Sequence, residues 1–227
     1  MSSITYGYKP GLTLLLPDEE QVGFFRARGG SPEEPLIRWA AELVQPGDVF
    51  VDVGAHVGTW SLSMAARGCR VAAFEPQNDT FCRLAAGVAL SGLEAQVEVH
   101  RVALSAEDGH MLLRVTTRDG GGSSLGNYAE RILGKPPIRT EAVEVRTLDS
   151  FGYDRIDLLK IDAEGEELNV LLGAEATLKR CRPRILFECW SYDWFADQRT
   201  KVLDYLEYVG YRIVPTSWTD TFLAEPA

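Results

Sequence analysis

One stretch constrains the fold more than any other. Residues 49–53, Val-Phe-Val-Asp-Val, run straight into Gly54-Ala-His-Val-Gly58 and then into a helical pattern over 57–67 that Gly68 stops. The unit repeats along the chain. Residues 71–74 read as a second strand, followed by a helix over 78–91 with Phe81, Leu84, Ala85 and Val88 inward and Gly92 as its stop. Residues 97–104 read as a third strand, and 156–161 and 184–187 as two more, with a helix over 166–179 between them. Strands apolar on both faces and separated by helices call for a parallel sheet covered on both sides. At 227 residues the chain is long enough for one such domain with decorations.

The flanks and one long interruption refine this expectation. Residues 1–45 form an extension: a strand at 12–16 ended by Pro17-Asp18, then a helix opened by Ser31-Pro-Glu-Glu34. Ser31 stands at the cap, with Pro in the first turn, Glu34 three residues after the cap, and Leu36, Ile37, Ala40, Leu43 and Val44 on one face. Residues 1–35 are expected to form either a pocket wall or a dimer contact. Within 109–148, strand-like stretches at 111–116 and 142–148 pair around an excursion that carries Asp-Gly-Gly-Gly-Ser-Ser-Leu-Gly at 119–126 and Pro136-Pro137. Loops of this length are lids, binding loops or disordered insertions. At the end, a helix over 200–209 stops at Gly210, and strands at 211–214 and 221–223 follow with only a short turn between them, which makes them antiparallel. The expectation is a single domain over 1–227 with its catalytic core at 46–224. Its open, mostly parallel α/β sheet carries helices on both faces and ends in an antiparallel C-terminal hairpin. That is the Rossmann-like layout of class I methyltransferases; dinucleotide-binding sheets continue instead with parallel crossovers.

Composition narrows the partners. The 33 acidic residues outnumber 23 Lys and Arg, for a net charge of −10, which argues against nucleic acid and against an anionic membrane surface. Cys69, Cys82, Cys181 and Cys189 form no C-x-x-C pair and lie in apolar segments, so buried reduced thiols are expected rather than disulfides or a zinc site. The first residues lack a basic region followed by an apolar one, and 12–16 is too short for a span, so a soluble cytoplasmic protein is expected.

The turn after the first core strand carries the first chemical signal. Gly54 permits a tight turn and close approach to the backbone, and Gly58 lets the next helix pack close. Glu75 ends the second strand, where a carboxylate accepts from ribose hydroxyls. A dehydrogenase turn requires glycines where this chain has His56 and Thr59, and no P-loop occurs. The second signal is Ile-Asp-Leu-Leu-Lys160-Ile-Asp162-Ala-Glu164-Gly-Glu-Glu at 156–167. Alternation puts Lys160 and Asp162 on one side at the carboxyl end of a strand, and a lysine in so apolar a strand must find a partner. Glu188 ends the next strand, so Asp162, Glu164 and Glu188 are expected to converge beside the cofactor turn. Trp190, Tyr192, Trp194 and Phe195 follow closely and either wall a substrate pocket or seal the core. His56 is either a base or a backbone-level contact; His100 and His110 are expected to have no role.

On these motifs the chain resembles the FkbM family of S-adenosylmethionine-dependent methyltransferases, from about residue 46 to 224. The carriers are residues 46–58, Phe74-Glu75-Pro76, Ala103-Leu104-Ser105, Val145-Arg146-Thr147-Leu148-Asp149, residues 159–166, Leu186-Phe187-Glu188 and Gly210-Tyr211. His56 departs from the asparagine usual there. The resemblance implies O-methylation of a small molecule or sugar in natural-product or polysaccharide biosynthesis. It implies that Asp52, Gly54, Ala55, His56, Gly58 and Thr59 surround the methionine part of the cofactor and that Glu75 holds the ribose. Pro76, Gln77 and Ala103 fall near ribose or adenine, with Asp162 beside the cofactor. Methyl transfer is an in-line displacement, so alignment is the main task, and an alcohol must also lose a proton. Asp162, Glu164 or Glu188, with Lys160 beside them, supplies a base; alternatively these acids hold a divalent cation such as Mg²⁺. The competing readings are N-methylation of a small molecule or nucleic acid, and a non-catalytic cofactor-binding partner subunit.

Overall fold

The computed structural model describes residues 3–227. The chain opens with a hairpin, β1 (Ile4–Lys9) and β2 (Leu12–Leu16), and two helices, α1 (Glu19–Arg28) and α2 (Glu34–Ala40). The alternating core follows as β3 (Val49–Val53), α3 (Thr59–Ala66), β4 (Arg70–Phe74), α4 (Asn78–Leu90) and β5 (Val97–His100). Next come β6 (Ala103–Leu104), β7 (Gly109–Val115), α5 (Tyr128–Leu133) and β8 (Arg139–Arg146). The chain returns through β9 (Leu158–Ile161), α6 (Glu167–Leu172), α7 (Glu175–Cys181) and β10 (Arg184–Glu188), then closes with α8 (Ala196–Tyr208), β11 (Tyr211–Pro215) and β12 (Thr221–Pro226).

Seven strands form one sheet in the order β11-β12-β10-β9-β3-β4-β5. Its five central and right-hand strands are parallel, and β12 runs antiparallel to both β10 and β11. Alternation divides each strand between two cores. Phe50 points into the layer shared with α3, α4 and the β1–β2 hairpin, whereas Val51 and Val53 point into the layer shared with α6, α7 and α8. The chain leaves β3 toward β4 and later returns to β9 on the other side of β3. Ligands bind at such a switch point, above the carboxyl ends of the strands. No helix among the described residues is long and apolar enough to cross a membrane.

Local chemistry explains where the observed elements differ from the expected ones. The strand expected over 97–104 divides: β5 completes the large sheet, while β6 leaves it and pairs with β8, which also pairs antiparallel with β7. This second sheet has its own small core of Ala103, Leu113, Val115, Leu125, Val143 and Val145. The helix expected over 166–179 breaks at Gly173, where a Cβ would lie 2.0 Å from the Ser105 carbonyl oxygen. The Asp149 carboxylate then caps the start of α7 through the Ala176 and Thr177 amides at 2.9 and 2.7 Å. The helix expected from Ser31 starts later, with Glu33 at its cap; the Ser31 hydroxyl is taken by the Glu33 amide at 3.2 Å. On α4, Leu84 and Val88 are buried but Phe81 and Ala85 are only half-buried. The helix face is turned by the hairpin, since Gly87 meets the Thr13 carbonyl oxygen 3.1 Å from where its Cβ would be. All four cysteines are free thiols; Cys69 and Cys189 are buried as expected, but Cys82 is exposed and Cys181 half-buried.

Candidate functional site

The β3–α3 turn is shaped by what lies under it. Gly54 has φ +74°, and a Cβ there would sit 1.9 Å from the Asp162 carbonyl oxygen. The close approach that requires glycine is therefore to the chain's own β9 end. Gly58, at φ +93°, would place a Cβ 2.5 Å from Leu84 Cδ1, so its small size seats α3 against α4. His56 takes a left-handed conformation at φ 51°. Asparagine is at home there and histidine is among the residues that tolerate it, which accounts for the exchange at this position. The His56 amide donates to Glu75 Oε2 at 3.0 Å, and its Nε2 donates to the Asp119 carbonyl oxygen at 2.8 Å. Glu75 Oε1 accepts from the Gln77 amide at 2.9 Å. Burial pushes the Glu75 carboxyl above the ordinary carboxylate range, against the pull of His56 and these two amides. A carboxylate oxygen has more than one lone pair, so Glu75 keeps acceptor capacity toward the cavity it lines.

Lys160 sits beneath the turn, 4% exposed. Its Nζ reaches the Gly54 and Val53 carbonyls at 2.8 and 3.3 Å, Asp52 Oδ1 at 3.2 Å and Asp162 Oδ2 at 3.5 Å. Burial alone would favour its neutral form, but Asp52, Asp162 and Glu33 outweigh that and hold it above the ordinary lysine range. Asp52 is fully buried and also accepts from the Ser61 hydroxyl at 2.6 Å. Lysine and aspartate thus lock the turn to the end of β9.

Across the cavity stands a set of coupled carboxyls. Glu188 hydrogen-bonds Asp162; burial, then Asp162, Glu164 and Glu167, push Glu188 up to about 10. Glu164 is pushed up to about 8, first by burial and then by Asp162 and Glu167, although the Gly122 amide donates to its Oε1 at 3.0 Å. Glu167 accepts from the Ala163 and Gly165 amides at 3.0 and 3.1 Å and is pushed to about 7 by burial. Glu33 joins this set from the N-terminal extension. It accepts from Trp60 Nε1 at 3.1 Å, and burial and Asp162 raise its carboxyl. Sequence patterning assigned Glu33 to a helix start and gave no signal of this role.

These groups enclose a cavity of about 240 Å³. Gly54, Ala55, His56, Thr59, Glu75, Pro76, Ala103, Lys160, Asp162 and Glu164 all line it. Asp52, Gly58 and Gln77 are not among its lining residues, and Glu188 lines a smaller neighbouring recess that shares Glu33, Trp60, Lys160 and Asp162 with it. The loop at 119–125 forms the roof. Its Gly120, Gly121, Gly122, Ser123 and Leu125 line the cavity. Ser123 Oγ donates to Gln77 Oε1 at 3.2 Å, and Ser124 Oγ donates to the Glu164 carbonyl at 2.8 Å. The helix α1, absent from the sequence expectation, also touches this loop through a Gln21–Asp119 hydrogen bond. Of the four aromatics after Glu188, Trp190 and Phe195 are core residues, Tyr192 is exposed, and Trp194 stacks on Tyr192 at 5.5 Å under the Arg131 guanidinium of α5 at 4.4 Å. His110 is exposed, whereas His100 stacks on Phe74 with ring centres 4.7 Å apart. Among the described residues, no three His, Cys, Asp or Glu side chains converge at the spacing a metal ion needs.

The chain is similar in part to several known proteins. The AMB antimetabolite synthetase AmbE of Pseudomonas aeruginosa is 31% identical over 182 residues, covering 63% of this chain but only 8% of that much longer protein. The hexuronic acid methyltransferase AglP of Haloferax volcanii is 27% identical over 173 residues, covering 76% of this chain and 67% of that protein. Among solved structures, methyltransferase FkbM from Methylobacillus flagellatus KT superposes with a TM-score of 0.56 at 17% identity, over 80% of this chain and 44% of that one. The family model for the methyltransferase FkbM domain matches residues 52–213, more than half of the sequence and the whole β3–α3 turn, and the chain belongs to that family of methyltransferases.

Proposed function

We propose that this chain transfers the methyl group of S-adenosylmethionine to a hydroxyl of a small molecule or sugar, with a carboxylate of its own as the base. One observation supports the reading above the others. Carboxyls from β9, the loop after it and the end of β10 gather opposite Glu75, and their mutual repulsion and burial raise Glu164 to about 8 and Glu188 to about 10. A base for an alcohol works best with a pKa lifted toward the operating pH.

The cavity fits the cofactor by its chemistry. Glu75 offers a buried carboxylate to a diol, and the turn residues 54–56 and Thr59 line the cavity beside it. When bound, S-adenosylmethionine supplies an already activated methyl group. The protein's contribution is position and proton removal. Lys160 is a positioning residue, since its ammonium is spent on Asp52, Asp162 and the turn carbonyls. Glu164 is the base. It lines the cofactor cavity, and the Gly122 amide orients one of its oxygens. Asp162 steadies the acceptor beside it. The roof loop at 119–125 excludes water from the cavity. The acids are not arranged as a metal cage, so proton removal is assigned to a carboxylate and no step runs through a metal.

The test combines calorimetry and turnover. S-Adenosylmethionine and S-adenosylhomocysteine should bind the wild-type protein with micromolar affinity. Label from [methyl-³H]-S-adenosylmethionine should appear in an alcohol acceptor, and Glu164→Gln should slow transfer by about 10²–10⁴-fold at unchanged cofactor affinity. Excess EDTA should leave the rate unaltered. A rate abolished by EDTA and restored by Mg²⁺ would sink the carboxylate-base reading in favour of the metal one.

A further inference from the structure

Beside the cofactor cavity, around Asp162, lies a recess of about 40 Å³. A cavity of about 10–15 Å³ on the same footing holds one water, so the recess admits a small head group. It shares Glu33, Trp60, Lys160 and Asp162 with the cofactor cavity, so whatever fills it lies beside the reacting centre. Its polar lining consists almost wholly of acceptors: the carboxyls of Glu33, Asp162 and Glu188. The donors that face it are already engaged. Trp60 Nε1 donates to Glu33, and Lys160 Nζ is held by Asp52, Asp162 and the turn carbonyls. Thr221 adds one hydroxyl, and aliphatic and aromatic carbon makes up the rest. Lys160 answers Asp162 at 3.5 Å and Glu188 keeps a proton in its hydrogen bond to Asp162, so an ammonium entering the recess can release that proton to solvent and pair with the carboxylate left behind. A metal ion is a poor answer, because these oxygens do not converge at metal spacing. An ammonium is a good one: it brings three donors, tolerates looser geometry, and fits the volume.

We propose that the acceptor of this methyltransferase carries a protonated amine near its reacting hydroxyl, and that the recess between Glu33, Asp162 and Glu188 holds that ammonium. The inference rests on the methyltransferase reading above and narrows its substrate class. A protonated amine has no lone pair to receive a methyl group, so the neighbouring hydroxyl remains the acceptor atom. An anionic acceptor, such as a uronic acid presenting its carboxylate to this wall, adds a negative charge beside Asp162, where Lys160 is already engaged, and is disfavoured.

The experiment uses three two-carbon probes that differ only in one group: ethanolamine, ethylene glycol and glycolate. Each is titrated into the ¹⁵N-labelled full chain saturated with S-adenosylhomocysteine, and amide shifts are followed at 186–188 and 221. Ethanolamine should saturate these shifts at millimolar concentration, at least tenfold more tightly than ethylene glycol, with glycolate weakest. Glu188→Gln should weaken ethanolamine at least fivefold while leaving the affinity for S-adenosylhomocysteine within twofold. Normal binding of S-adenosylhomocysteine with ethanolamine no tighter than ethylene glycol, or not bound at all, overturns this inference alone. A variant that loses S-adenosylhomocysteine affinity but keeps ethanolamine assigns the recess to the cofactor's own ammonium and also overturns it. Failure of the wild-type protein to bind S-adenosylhomocysteine overturns the methyltransferase reading and this inference with it.

Discussion

The two walls of the cavity are built on opposite principles. The wall made by β3, its turn and the end of β4 uses neighbours in sequence and pins them with backbone hydrogen bonds: Glu75 to the His56 and Gln77 amides, and the Gly54 and Ala55 amides to the Phe74 carbonyl, both at 3.0 Å. Its charges are matched, with Lys160 between Asp52 and Asp162. The facing wall takes Glu33 from the extension, Glu164 from the β9–α6 loop, Glu188 from β10 and a roof from the 119–125 loop. Its charges are like and only partly neutralised. A constant ligand suits the first construction, because a fixed backbone frame loses nothing by being rigid. The second stores electrostatic strain that a particular ligand can relieve, and it is assembled from segments free to vary independently.

Substitutions should separate the two walls, and the largest effect belongs to the pinned one. Gly54→Ala places a Cβ 1.9 Å from the Asp162 carbonyl oxygen in a left-handed backbone, and backbone cannot step aside as a side chain can. A loss of about 3 kcal/mol of folding stability is expected, read by urea denaturation. A variant as stable as wild type would show that the turn and the β9 end are not locked together.

Next comes Glu75→Ala, which removes the acceptor of the His56 and Gln77 amides and the carboxylate facing the cavity. The affinity for S-adenosylhomocysteine should fall about a hundredfold, or about 2.7 kcal/mol. Glu75→Gln keeps an acceptor but adds a donor against these amides and should fall between. Calorimetric titration checks both, and an unchanged constant in Glu75→Ala would place the cofactor elsewhere.

The facing wall should respond in the opposite direction. Glu188 is held near 10 in the folded protein, above its ordinary 4.5. Between these values the unfolded chain has released a proton that the folded protein retains, so rising pH favours unfolding. Glu188→Gln has no proton to release. It should match wild type below about pH 4.5 and be more stable by about 1–2 kcal/mol at pH 8, measured as denaturant midpoints across pH. A variant less stable than wild type at pH 8 would mean that the carboxyls are neutralised by something other than a shared proton.

The same contrast governs what the sequence discloses. The strands β3, β4, β9 and β10 are buried on both faces, so each is a short run of apolar residues that names itself. Gly54 and Glu75 stand at two successive strand ends, and Lys160 and Asp162 share one short motif, so spacing within each segment singles them out as residues that turn out to lie around the cavity. By contrast, β1 buries only Tyr8 in six residues, and α1 buries only Val22 and Phe25 in ten, so neither carries a hydrophobic period strong enough to read. The breaks at Gly173 and between β5 and β6 come from tertiary contacts, one against Ser105 and the other from pairing with β8, which no local window contains. Glu33 is the clearest case. Its neighbours spell a helix start, and only the packing of α2 against α3 through Trp60 delivers it to Lys160 and Asp162.

The smallest expected effect tests how the roof is tied to the variable wall. Ser124 is 1% exposed; its Oγ donates to the Glu164 carbonyl at 2.8 Å and accepts from the Gly126 amide at 3.1 Å. Its backbone pairs with Arg114 in both directions, at 2.8 and 3.1 Å. Ser124→Ala therefore leaves the strand-like backbone pairing intact and removes the side-chain ties to the Glu164 carbonyl and the Gly126 amide. A cost of about 1 kcal/mol follows from one lost partner for each of two partly buried groups. Glu75 and the turn are untouched, so the affinity for S-adenosylhomocysteine should stay within about twofold. Limited proteolysis within 117–126 should quicken severalfold, because local opening is governed by the few bonds that close the segment. If cofactor affinity instead falls as far as it does in Glu75→Ala, the roof belongs to the pinned wall, and the division between a rigid cofactor half and an adaptable acceptor half must be redrawn.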